Sequence, residues 1–226
     1  MPIKLLVCDM AGTTLQDSHE VHQCLKDALA EERIIVSDEE TRDIMGYPKP
    51  IAIQLLLEQK LDDQSRITDE YVDQIHDRFV EMMVNHYRTS PDVRELPEVS
   101  NTWQKLRERG IKIALDTGFS RPIADAIIER LNWRDKIDAS VTSDEVAYGR
   151  PAPDMIFRAM NLLNIEDIQH VAKIGDTASD MEQGKNAGCP YVIGVTTGSF
   201  SREALQELPS THVIDSFGEV LSVISR

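Results

Sequence analysis

Positive charge is scarce in this 226-residue chain: 24 Lys and Arg stand against 39 Asp and Glu, a net charge of −15. A chain this acidic is a poor candidate for nucleic acids and anionic membrane surfaces, which call for basic patches, so neither is an expected partner. An anionic ligand must find positive charge supplied locally, against that background. Cysteine is scarce too. Cys8, Cys24 and Cys189 form no CxxC, and their spacing fits no zinc site. Cys8 lies inside an apolar run and Cys189 beside another, so both read as small core residues rather than reactive thiols. Long apolar runs are missing. The apolar run in "MPIKLLVCDM" is too short for a secretory signal. No stretch approaches a membrane span, and a cytoplasmic protein is expected. Internal repeats and low-complexity segments are missing as well.

What is there is an alternation. The length suits one α/β domain with a sizeable insertion, or two small domains. "IKLLVCD" (3–9) is an apolar run of the kind buried on both faces of a parallel sheet. Similar runs follow at 111–116, 137–143, 171–176 and 191–195, with a weaker one at 211–215. Helical patterns lie between them. "SRPIADAIIERLN" places Ser120 as an N-cap before Ile123, Ile127 and Leu131. "APDMIFRAMNLL" carries Ile156, Met160 and Leu163 on one stripe. Strand, helix, strand, helix predicts an open, doubly wound parallel sheet.

Residues 17–91 read differently and show no convincing strand. Val21, Leu25 and Leu29 share one helical face; Tyr71, Ile75, Phe79 and Met82 or Met83 share another. Ser37 and Glu40 are spaced as a capping box. Pro91 in "TSPDV" stops the last helix and marks the return. The expected organisation is an α/β core from 1–16 and 92–226, with an inserted helical lid from 17–91.

In an open α/β sheet, ligands sit outside the carboxyl ends of the strands. Polar residues at those ends are therefore candidates. Asp9 ends the first run, and Thr117 follows the second in "IALDTG". Arg150 follows the third in "AYGRPAP"; Asp176 ends the fourth in "KIGDTASD", with Asp180 four residues on. Such a set suits phosphoryl transfer. A carboxylate such as Asp9 can attack phosphorus and carry an aspartyl-phosphate. Mg²⁺ takes hard oxygen ligands, and Asp9 and Asp176, with the Ala11 carbonyl as a third, could supply them. Asp180 is either a further metal ligand or a first-turn acid that favours its helix dipole. Thr117 and Arg150 could hold phosphoryl oxygens, with Gly118 beside them. Arg121 either orients a phosphate or decorates a helix start.

"DMAGTT", "DTG", "GRPAP" and "GDTASD" resemble, in order, the four motifs of the haloacid dehalogenase superfamily. The resemblance spans residues 3 to about 200. It implies a Rossmann-like core with a helical cap domain, Mg²⁺ as cofactor and an aspartyl nucleophile. Most phosphatases of that superfamily carry a second Asp where this chain has Ala11. The phosphonoacetaldehyde hydrolases, or phosphonatases, carry alanine there and arginine in the third motif, as Ala11 and Arg150 do here. In that branch a cap lysine within Met-Gly-x-x-Lys forms a Schiff base with the substrate aldehyde. The imine then serves as the electron sink, so no carboxylic acid is needed. "MGYPK" (45–49) is similar, ending at Lys49, with Gly46 able to let the backbone approach a ligand.

Two positions depart from the branch. Ala52 stands where the family has histidine, and Phe119 where it has tyrosine. The expected function is therefore a phosphonatase-like hydrolase acting on a small anionic phosphonate or phosphate. Three alternatives stay open: a phosphomonoesterase, a metal-independent haloacid dehalogenase, and a non-catalytic ligand-binding protein. The resemblance also implies a homodimer through the cap.

Overall fold

A computed structural model describes residues 2–16, 20–43 and 49–224. Among them, six strands form one parallel sheet. They are β1 (Leu5–Cys8), β2 (Lys112–Thr117), β3 (Ala139–Thr142), β4 (Val171–Gly175), β5 (Tyr191–Val195) and β6 (His212–Ile214). Their spatial order is β3-β2-β1-β4-β5-β6. Each strand falls on one of the six apolar runs, and the expected doubly wound α/β sheet is the observed core. The order reverses beside β1, so β1 and β4 flank the switch point where the crevice of such a sheet opens.

Register decides which side chains share a face. Val7 lies opposite Ala114 of β2 and Lys173 of β4. That row therefore points to one side, and Cys8, Leu115 and Ile174 to the other. On the Val7 side lie helix α7 (Asp154–Leu163) and helix α8 (Ala178–Ala187). Met155, Ile156, Ala159, Met160 and Leu163 of α7 and Met181 of α8 pack with Leu5, Val7 and Ala114. On the other side, Trp103 of helix α5 (Val99–Glu108) meets Trp133 and Phe217 edge-on. All three cysteines are buried and unpaired. Burial pushes the Cys24 thiol up to about 11 and that of Cys189 to about 12, as expected of inert core residues.

Helix α6 (Arg121–Arg130) starts where expected, but its cap differs. Ser120 occupies the N-cap position without making a side-chain cap bond. Asp144 does the work instead, accepting the Arg121 N–H at 3.1 and 3.2 Å. A carboxylate from a neighbouring loop outcompetes the local hydroxyl, and the sequence spacing gives no sign of it. The short helices α9 (Arg202–Glu207) and α10 (Val220–Val223) complete this part of the chain.

The chain divides into two compact units, Met1–Asp17 with Pro91–Arg226, and Ser18–Ser90. The second is all helix among its described residues: α1 (Glu20–Glu31), α2 (Asp38–Asp43), α3 (Lys49–Lys60) and α4 (Asp69–Thr89), plus a single 3₁₀ turn at Gln64–Arg66. Cys24, Leu25, Ala28 and Leu29 form the buried stripe of α1; Val72, Ile75, Phe79, Met83 and Tyr87 form that of α4. The Ser37–Glu40 capping box is made in both directions, at 2.8 and 3.2 Å. No described helix is long and apolar enough to cross a membrane.

Candidate active site

The turn after β1 builds the first part of the site. The backbone ladder continues one residue past β1, with Asp9 N–H donating to the Ile174 carbonyl at 3.0 Å. The chain then closes tightly: the amides of Thr13, Thr14 and Leu15 all donate to the Met10 carbonyl. The Thr14 hydroxyl ties down the Asp9 carbonyl at 2.9 Å. Gly12 supplies the left-handed conformation, φ +80°, and a Cβ there would press on Asp176. This is why "DMAGTT" needs its glycine. Asp9 itself is buried.

Four sequence regions meet around Asp9. Arg150 donates to Asp9 Oδ1 at 2.8 Å and, through the same nitrogen, to Asp180 Oδ1. Lys173 lies 3.1 Å from that same Asp180 oxygen and pairs with Asp116. The other Asp180 oxygen accepts from the Thr177 hydroxyl at 2.5 Å, and Thr177 with Asp180 forms the capping box of α8. Lys173, Asp116 and Asp180 are completely buried.

Asp176 sits in softer company. Its carboxylate accepts from the Thr13 hydroxyl at 3.3 Å and from the Ser199 N–H at 2.7 Å. The loop 196–199, "TTGS", thus abuts the site. Thr197 anchors it by donating to the Gly12 carbonyl at 2.7 Å, and Gly198 lies so close to Asp176 that a Cβ would overlap the carboxylate.

The electrostatics follow from these partners. Burial raises Asp9, and Asp180 and Asp176 push it further, outweighing Arg150; it stands at about 8. Burial and Asp180 together push Asp176 up to about 6. Burial would raise Asp180 as well, but Arg150 and Lys173 prevail and hold it far below the ordinary carboxylate range. Four carboxylates, Asp9, Asp116, Asp176 and Asp180, face two cations.

The donors around Asp9 are oxygens, and the excess charge is negative. That fits a hard divalent cation. Oxygens of Asp9, Asp116 and Asp180 lie within 4.8 Å of one another. Within that trio, however, Lys173 and Arg150 already bridge the carboxylates. The less compensated pair is Asp9 and Asp176, whose raised proton affinities are what a cation would relieve. Asp180 was read from the sequence as a metal ligand or a first-turn acid. Its oxygens are engaged by Lys173, Arg150 and its own helix cap.

Thr117 ends β2, buried, and its hydroxyl accepts the Phe119 N–H at 3.1 Å. Gly118 leaves open the space beside Arg150, 3.5 Å from where its Cβ would stand. Arg121 faces elsewhere. Its guanidinium donates to Asp125 at 3.2 Å, to the Ser140 hydroxyl at 2.8 Å and carbonyl at 3.0 Å, and to Glu145. These bonds tie it to the start of α6, to β3 and to the turn after it. In the helical unit Lys49 opens α3, and burial pushes its ammonium down to about 8. Ala52, one turn on, is completely buried. Gly46 lies outside the described residues.

From the sequence, Asp116, Lys173 and Thr13 carry no assigned role, the first and last although they lie in "DTG" and "DMAGTT", and "TTGS" at 196–199 resembles a phosphate loop only weakly. A signal existed for the first two. A lone lysine and a lone aspartate inside central strands of a parallel sheet must be paired if buried.

The chain matches the family described as haloacid dehalogenase-like hydrolase over residues 3–188. It is 30% identical over 211 residues to a phosphonoacetaldehyde hydrolase of Bacillus cereus, a match covering 88% of this chain and 78% of that one. It is 30% identical to one of Bacteroides fragilis, over 96% of this chain and 87% of the relative. Among solved structures, a phosphonoacetaldehyde hydrolase-like protein of Oleispira antarctica superposes with a TM-score of 0.81 at 23% identity. That superposition covers 100% of this chain and 92% of the other, and shows a shared fold.

Proposed function

The chain belongs to the haloacid dehalogenase-like hydrolases, on their phosphonatase-like branch, and from that premise we propose a Mg²⁺-dependent hydrolase acting through an aspartyl-phosphate on a small phosphonate or phosphorylated metabolite. One observation carries the reading: a buried carboxylate, Asp9, at the switch point of the sheet with Arg150 2.8 Å away. Asp9 attacks phosphorus and takes the phosphoryl group. Arg150 and the Thr117 hydroxyl hold the phosphoryl oxygens as their charge grows, and Gly118 leaves them room. Asp9, Asp176 and the Ala11 carbonyl would hold the metal, with Asp180 fixing Arg150 behind them. Bound Mg²⁺ reduces the repulsion between an anionic nucleophile and an anionic substrate.

Lys49 accounts for the alanine at position 11. An amine depressed to about 8 keeps a neutral fraction that can attack an aldehyde. Lys49 Nζ adds to the aldehyde carbon, water leaves, and an imine forms. Asp9 then attacks phosphorus; the C–P electron pair becomes a C=C bond as the imine π pair moves onto nitrogen, leaving an enamine. Water cleaves the aspartyl-phosphate, and a second water hydrolyses the reprotonated imine, freeing Lys49. The helical unit acts as a cap that excludes water. The protein works in the cytoplasm as a homodimer through that cap.

A second reading is a phosphomonoesterase, favoured by Ala52 and Phe119, apolar where the branch has polar groups. Borohydride added during turnover of phosphonoacetaldehyde separates the two. The proposed reaction leaves a reduced adduct on the peptide containing Lys49, read by mass. Turnover of phosphate esters with no adduct at Lys49 selects the phosphomonoesterase.

A further inference from the structure

Lys173 lies outside the four motifs and Asp116 opens the "DTG" one, with no role assigned to it; both are completely buried beside the nucleophile. Lys173 of β4 points to the same side as Val7 of β1 and Ala114 of β2, and Asp116 stands two residues beyond Ala114. The ammonium therefore reaches over β1 to pair with Asp116, and it lies 3.1 Å from Asp180 Oδ1. That oxygen also accepts from Arg150, whose same nitrogen donates to Asp9 at 2.8 Å. One carboxylate oxygen is thus shared between two cations. One is sealed from any substrate; the other faces the nucleophile.

A buried ion pair is weak grounds for stability, because desolvation cancels much of its Coulombic gain. Two sealed charges beneath a site therefore call for a functional reason. We propose that Lys173 and Asp116 are positioning residues: they set how tightly Asp180 holds Arg150, and so how much of its guanidinium is offered to a phosphoryl group at Asp9. The proposal rests on the phosphoryl-transfer reading above. Lys173 satisfies part of Asp180. Without Lys173, Asp180 has Arg150 as its single cation and draws it back. Asp116 in turn claims part of Lys173. Without Asp116, Lys173 leans wholly on Asp180 and releases Arg150. The two substitutions therefore act in opposite directions, which loss of packing does not do.

Binding of inorganic phosphate to the full chain with Mg²⁺ present, read by calorimetry, tests this. Lys173→Met is expected to weaken binding about tenfold, the size of one charge-assisted hydrogen bond. Asp116→Asn is expected to tighten it about threefold, since it only redistributes an existing contact. The double variant Lys173→Met/Asp116→Leu keeps the charge balance and should still bind about tenfold more weakly. Melting curves show which variants fold. If Lys173→Met does not, the double variant and the sign of Asp116→Asn decide. Weaker binding in Asp116→Asn, or wild-type binding in a folded Lys173 variant, overturns the proposal. Arg150→Ala separates the layers: undiminished phosphate binding there overturns the phosphoryl-site reading itself. Weakened binding there, with the Lys173 variants unchanged, overturns the positioning role alone.

Discussion

The two units bury different things. In the helical unit, Thr41 is the one fully buried polar residue among those described, and its hydroxyl is satisfied by the Ser37 and Asp38 carbonyls at 3.1 Å. Its ion pairs, such as Arg78–Glu31 and Lys60–Glu40, lie at the surface. The α/β unit buries Asp9, Asp116, Lys173, Asp176 and Asp180. Apolar packing holds the first unit together, while the second accepts the cost of desolvating charge at one sheet edge. Such a cost is tolerated where chemistry needs it. Under the proposed function, the contrast divides the work: the phosphoryl chemistry is assigned to the α/β unit, and Lys49 is the one amine proposed from the helical unit.

The sharpest break in that contrast comes from its centre. Asp9→Asn should lower turnover of any substrate by at least about a thousandfold, since no other group replaces a covalent nucleophile. Steady-state kinetics on phosphonates and phosphate esters check it.

Lys49→Met should divide the substrates. Turnover of phosphonoacetaldehyde falls about a thousandfold as the imine is lost, while inorganic phosphate binding to the α/β unit stays within about twofold. Equal losses in both measurements would erase the division of labour between the units.

Metal and pH sharpen the comparison further. In the metal-free protein the folded state raises Asp176 from 3.8 to about 6. The folded protein then keeps a proton that the unfolded chain has released. Its stabilising contribution is complete below pH 3.8 and is lost as pH rises through about 6. Mg²⁺ binds the ionised form, so its gain in melting temperature should be larger at about pH 7.5 than at about pH 5. Chelation should stop turnover at either pH; activity that survives it would point to a metal-independent dehalogenase.

The smallest effect belongs to the helical unit alone. Thr68 caps α4, accepting the Tyr71 N–H at 3.2 Å. Thr68→Ala should cost about 1 kcal/mol. It should leave phosphate binding untouched, as thermal melts and calorimetry will read.

The sequence made much of this legible, for a physical reason. Parallel strands buried on both faces read as plain apolar runs, and the polar residue ending each run is exposed to inspection. Asp9, Thr117 and Asp176 stand out as candidates that way, and Arg150 follows the third run. What stayed hidden depends on partners far along the chain. Lys173 inside "VAKIGD" and Asp116 inside "IALD" look like interruptions until the sheet brings them together across β1. Asp144 caps α6 from another loop, so Ser120 looked sufficient. "TTGS" gave too weak a pattern to pick out, and only the fold brings Ser199 N–H to Asp176. Asp180 fits a metal ligand by spacing, and its cations come from β4 and the loop before α7.

The central claim is that Asp9 carries the phosphoryl group. Rapid acid quenching during turnover of a phosphorus-labelled phosphonate or phosphate ester, followed by peptide mapping, measures it directly. Label on the peptide spanning residues 7–15, absent in Asp9→Asn, is the predicted result. Turnover with label on another peptide would contradict it.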